Sequence, residues 1–155
     1  MTRQNANTRQ VGGQHYKSNY QHWDFVEDFG IGYLESMAIK YLSRWKKKDG
    51  FKDLEKAFHF VEKLLDRIDN NSRASRTKAS EEIIAPAVER FIRENNINKA
   101  EGEIIDLLAT WRSRHKVDLA WSKLKDFLAA NEEVKAPAKK AAVSAPAKKA
   151  PAKKK

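Results

Sequence analysis

At 155 residues, with a formal net charge of +10 and no cysteine, the chain has room for one modest core, and disulfides, thiol nucleophiles and Cys-based zinc sites are excluded, as expected of a protein in a reducing cytoplasm. Eight lysines, three of the four prolines and no acid fall in residues 134–155, so that segment carries +8 and residues 1–133 only about +2. The basic character belongs to a tail and not to a folded face.

In chain order, residues 1–13 are polar and end in Gly12-Gly13, which reads as a flexible N-terminal arm. Trp23, Phe25, Val26 and Phe29 mark a short helix that Gly30 ends and Gly32 separates from the next. Leu34, Met37, Tyr41, Leu42 and Trp45 recur at three- and four-residue steps, the apolar stripe of a second helix, which Asp49-Gly50 breaks. Leu54, Ala57, Phe58, Val61, Leu64, Leu65 and Ile68 give the cleanest stripe in the chain, and the two long helices should form an antiparallel hairpin. The hairpin domain is placed at 14–69.

Residues 70–80 are polar and aperiodic, a linker. Ser80-Glu81-Glu82 has the look of a helix start, with a Ser cap and acids in the first turn. Pro86 falls late for a first-turn proline, which predicts a later start or a kink. Further helices are predicted over 100–114 and 117–130, completing a C-terminal helical unit at 81–131. Residues 132–155 repeat Ala-Pro-Ala-Lys-Lys and read as a disordered basic tail. No segment alternates for long enough to be a strand, so the fold class is all-α: a helical hairpin unit, a second small helical unit and the tail. No apolar run reaches the ~18–20 residues of a membrane span, and Met1 to Gln10 has no signal-peptide core; a soluble protein without a membrane partner is expected.

Chemistry concentrates in the hairpin. Lys40 and Arg44 lie one turn apart, and Lys47 extends the same cationic strip. Arg offers a planar fork to a phosphate and Lys a mobile charge. Asp53 and Lys56 occupy the first turn of the following helix, where free N–H groups favour anions. His15 and Tyr16 precede the helices in a loop able to fold over this face, with aromatic rings of the kind that stack on a base. The plain alternative is a solvated face with Tyr41 in the core. Asp24 and Glu27 form an i, i+3 acidic pair able to hold a metal, or are surface charge. Phosphate-loop, dinucleotide-fold and zinc-protease motifs are absent. In the tail, Lys139, Lys140, Lys148, Lys149, Lys153, Lys154 and Lys155 suit a phosphate backbone through counterion release, without reading sequence; such Lys-Ala-Pro tails resemble those of linker histones.

The order His15-Tyr16, then Trp23-Asp24, then Ile39-Lys40-Tyr41-Leu42-Ser43-Arg44, then Lys46 to Lys48, then Asp53-Leu54-Glu55-Lys56-Ala57 resembles a family of small phage proteins described as SaV-like, one member of which is a phage nucleotide kinase. The resemblance covers about residues 13–66. It implies a nucleotide-binding protein of the infected host's cytoplasm, and a kinase moving a phosphoryl group from a nucleoside triphosphate to a deoxynucleoside monophosphate with Mg²⁺. Carried over residue by residue, it makes Lys40, Arg44 and Asp53 the catalytic set and gives nucleotide contacts to His15, Tyr16, Lys40, Tyr41, Arg44, Lys47 and Lys56. Where the family carries Gly-Asn, this chain has Ser36-Met37, so nucleotide association transfers more directly than catalysis. The competing expectations are a non-enzymatic binder, either a DNA- or RNA-binding accessory protein or a sponge for a nucleotide signal, and a module whose helices pair with another protein. A homo-oligomer is expected in either of the first two cases.

Overall fold

The computed structural model describes residues 5–71, 77 and 79–135. Among these residues the chain is all-α, with six α-helices: α1 (His22–Phe29), α2 (Tyr33–Arg44), α3 (Phe51–Asp69), α4 (Glu81–Glu94), α5 (Lys99–Thr110) and α6 (Arg114–Ala130). Short 3₁₀ turns occur at Ala6–Thr8, Trp45–Lys47 and Glu132–Lys135. The seven tail lysines assigned to nucleic acid, and residues 72–76 and 78 of the linker, lie outside the described residues. No described helix is long and apolar enough to cross a membrane.

Glycine sets the joints of the hairpin. Gly30 closes α1 at φ 60°, its N–H bonded to the Val26 carbonyl, a left-handed cap that a side chain would strain. Gly50, at φ 58°, turns the chain from α2 into α3, so that the stripe beginning at Leu54 faces the one ending at Trp45. Pro86 is accommodated inside α4, which starts at Glu81 as its acidic first turn suggests and not later. Asn98 caps α5 with a reciprocal bond between its own amide and Glu101, fixing where that helix begins.

Burial then joins the elements. α2 packs on α3, α3 on α6, and α5 against α2, α4 and α6, while α1 rests on α4. One buried cluster contains Phe25, Ile39, Leu42, Leu54 and Leu64 together with Phe91, Ile104, Leu108, Trp111 and Leu124. The hairpin and the C-terminal helices therefore share a core. Polar ties cross the same boundary: the Trp111 indole N–H donates to Glu35 Oε1 at 2.7 Å, the Trp45 indole donates to Glu101, and Asn95 Nδ2 donates to the Tyr20 carbonyl at 3.0 Å. Burial pushes the Glu35 carboxyl above its ordinary value, against the opposing pull of its backbone and Trp111 bonds.

Candidate functional site

The Gly50 turn brings the first turn of α3 against the last turn of α2, and there Arg44 meets Asp53. Arg44 Nε donates to Asp53 Oδ2 at 3.0 Å and Nη2 to Oδ1 at 3.2 Å, a two-pronged pair between a guanidinium 8% exposed and a carboxylate fully buried. Lys56 Nζ adds a contact to Asp53 Oδ1 at 2.9 Å and reaches Asp49 at 3.1 Å. Burial alone would raise the Asp53 carboxyl, yet the bonds from Lys56 and Arg44 hold it below the usual carboxylate value. The remaining prong of Arg44, Nη1, donates to the Tyr16 hydroxyl. Tyr41 sits between the Phe60 ring, nearly parallel at 5.8 Å, and the charges of Arg44 and Lys56 at 4.7 and 5.1 Å. Five residues picked out by sequence are thus brought together, but they bind each other.

Tyr16 is the hinge between this cluster and a cleft of about 640 Å³. The cleft lies between the N-terminal strap, residues 5–11, the start of α1, and Lys40 on α2. The strap follows α1 through polar bonds: Asn7 Nδ2 donates to Asp24 Oδ2 at 2.9 Å, Gln21 Nε2 to the Asn7 carbonyl at 2.9 Å, and Gln10 Nε2 to Gln21 Oε1 at 3.4 Å. Lys40 Nζ lies 5.5 Å over the Tyr16 ring. Neither the Lys40 ammonium nor the Arg9 guanidinium has a hydrogen bond or ion pair among the described residues, so the cleft holds two cations without acidic partners. Trp23, 45% exposed, adds an aromatic face. At the start of α1 it lies off the packed side that holds Phe25.

His22 also lines the cleft. Its Nε2 lies 2.7 Å from the Ser36 carbonyl, and since a carbonyl only accepts, the proton sits on Nε2. Burial, reinforced by Lys40 and Arg44 and opposed by the Ser36 bond, lowers its pKa to about 4, so the ring is neutral near pH 7. Ser36, standing where the resembled family carries glycine, is itself buried.

The remaining predicted residues lie apart from the cleft. His15 packs its ring on Tyr16 at 4.2 Å between centroids; its Nε2 is buried without a hydrogen bond, and burial, then Lys48 and Arg44, keeps its pKa low. Lys47 donates to the Asn95 carbonyl at 3.2 Å, tying the 3₁₀ turn to the end of α4. Asp24 is engaged by Asn7 and Glu27 is exposed one turn on. Among the described residues no group of three or more His, Asp or Glu side chains is placed to hold a metal ion.

Sequence reasoning missed Arg9, Gln10, Gln21, His22 and Trp23. The available signal was the density of amides in the first 21 residues, which suits side-chain bonding to a helix start as well as it suits a solvated arm.

Residues 11–62 match the model of a protein family of unknown function (DUF3310). The matched segment holds α1, α2 and most of α3, with Tyr16, Lys40, Arg44 and Asp53, and ends before α4 to α6. No curated protein and no solved structure matches the chain.

Proposed function

We propose that this chain is a nucleotide-binding protein whose ligand occupies the cleft between the N-terminal strap, α1 and Lys40. The observation that carries the reading is one cleft lined by Lys40, Arg9, Tyr16 and Trp23, in which neither cation has an acidic partner among the described residues. A phosphate group supplies the missing anion, and a base or sugar uses the aromatic surface. In this reading Arg44, Asp53 and Lys56 position Tyr16 from behind and do not grip phosphate themselves. Calorimetric titration with nucleoside monophosphates tests it: Lys40→Ala is expected to weaken binding at least about tenfold, or 1.4 kcal/mol. Equal affinity in a folded Lys40→Ala protein refutes the assignment.

Phosphoryl transfer from a nucleoside triphosphate to a deoxynucleoside monophosphate is the reaction implied by the family resemblance, and such chemistry depends mainly on positioning and charge neutralisation. With no group of three or more His, Asp or Glu side chains placed for a metal among the described residues, the Mg²⁺ in this reading arrives with the triphosphate substrate. Purified protein, ATP, Mg²⁺ and each deoxynucleoside monophosphate, followed by phosphorus NMR, decides between kinase and binder: diphosphate product means a kinase, and its absence with folded protein means a binder.

A second, separable activity is favoured by the run of lysine and proline in residues 134–155: sequence-independent binding of DNA or RNA. Truncation after Glu133 is expected to abolish nucleic-acid affinity and its steep salt dependence while leaving nucleotide binding intact.

A further inference from the structure

The side chain of Gln21 is the most deeply placed polar group in the cleft, the residue being only 3% exposed. Its amide orientation is fixed, because the nitrogen must face the Asn7 carbonyl at 2.9 Å. Oε1 is therefore the atom left for another partner, and that partner is Gln10 Nε2 at 3.4 Å. At that length the bond is at the weak end of the range, whereas a buried oxygen gains most from a short one. The adjoining His22 contributes the same polarity. Donation from its Nε2 to Ser36 leaves Nδ1 as a lone-pair acceptor.

Resting on the nucleotide reading above, we infer that Gln21 is the residue that selects the ligand by an N–H donor on the base, and that Gln10 stands in for that donor until the ligand arrives. Lys40 and Arg9 take the phosphate, and the Gln21 acceptor, seconded by His22, takes the hydrogen-bonding edge of the base. Binding moves Gln10 off Gln21 without breaking the Gln21 bond to the strap at Asn7.

The test compares nucleotides with analogues whose edge N–H groups are methylated: adenylate against its dimethylamino analogue, and uridylate against its ring N-methyl analogue. Calorimetry on the full chain is expected to show a preference for the N–H form of about tenfold or more. That preference should vanish in Gln21→Met. Gln10→Ala should tighten binding of the N–H form, since its competitor is gone, whereas a purely structural Gln10 would leave affinity unchanged or lower it. Equal affinity for the N–H and methylated forms in the wild type, an undiminished preference in Gln21→Met, or unchanged or weaker binding by Gln10→Ala overturns the inference while leaving the nucleotide reading standing. Failure of every nucleotide to bind removes both.

Discussion

Asp53→Asn removes one charge from the most buried ion pair in the hairpin and leaves its shape almost unchanged. In the wild type both carboxylate oxygens are occupied, by Arg44 at 3.0 and 3.2 Å and by Lys56 at 2.9 Å. After substitution the Arg44 guanidinium, 8% exposed, keeps only the Tyr16 hydroxyl, the Tyr41 ring and a neutral amide. Breaking one side of a buried pair costs about 3–5 kcal/mol. The lower end applies, because Lys56 is a third exposed and can turn to Asp49. A loss of about 3 kcal/mol is a large share of the ~5–15 kcal/mol that holds a domain together. Urea unfolding followed by circular dichroism should show that loss as a lower midpoint with an unchanged slope. The pair itself is isolated by a cycle with Arg44→Met and Asp53→Leu: the double variant should lose less than the two single losses added together. Asp53→Asn within about 0.5 kcal/mol of wild type, or strict additivity in the cycle, would refute the view that these residues are bound to one another and not poised for a ligand.

Stability should also fall as pH drops from 6.5 towards 4. The folded protein holds His22 near 4 while the unfolded chain titrates at the ordinary value of 6.5; the unfolded state therefore takes up the proton first, and up to about 3 kcal/mol is lost across that window at about 1.4 kcal/mol per pH unit. Thermal melts of wild type and His22→Gln should converge towards pH 4, and parallel curves would contradict the assignment. Glu35 has the opposite sign, since its raised carboxyl opposes folding once ionised; Glu35→Gln should be at least as stable as wild type at neutral pH, with Glu35→Leu losing about 1–3 kcal/mol by removing the buried Glu35 acceptor of the Trp111 N–H. Gly50→Ala, forced into φ 58°, ψ −137°, a region almost reserved for glycine, should lose about 1–3 kcal/mol in the same melts, and no loss would show that the hairpin turn tolerates another conformation.

The hairpin was legible because its signals are local. The Leu54 to Ile68 stripe, the Gly30 stop and the Gly50 turn each act within a few residues, and the observed elements follow them. Arg44 and Asp53 were legible as important residues, but their two-pronged buried contact was not: helical spacing shows which face a side chain occupies and says nothing of what lies across the turn. Trp45 with Glu101 and Trp111 with Glu35 lie 56 and 76 positions apart, beyond any periodic pattern, so no spacing in the sequence marks either carboxylate as buried. The bonds of the strap, from amides to a carboxylate, a carbonyl and another amide, are not legible in the sequence. Such bonds leave no hydrophobic rhythm in the sequence.

The cleft is tested most directly by amide chemical-shift mapping of isotope-labelled full-length protein titrated with a nucleoside monophosphate. Saturable shifts should gather at Arg9, Tyr16, Gln21, Trp23 and Lys40 and disappear in Lys40→Ala. Shifts confined to residues 134–155, or to the outer face of α3 around Glu62 and Asp66, would place the ligand elsewhere and contradict the cleft as the binding site.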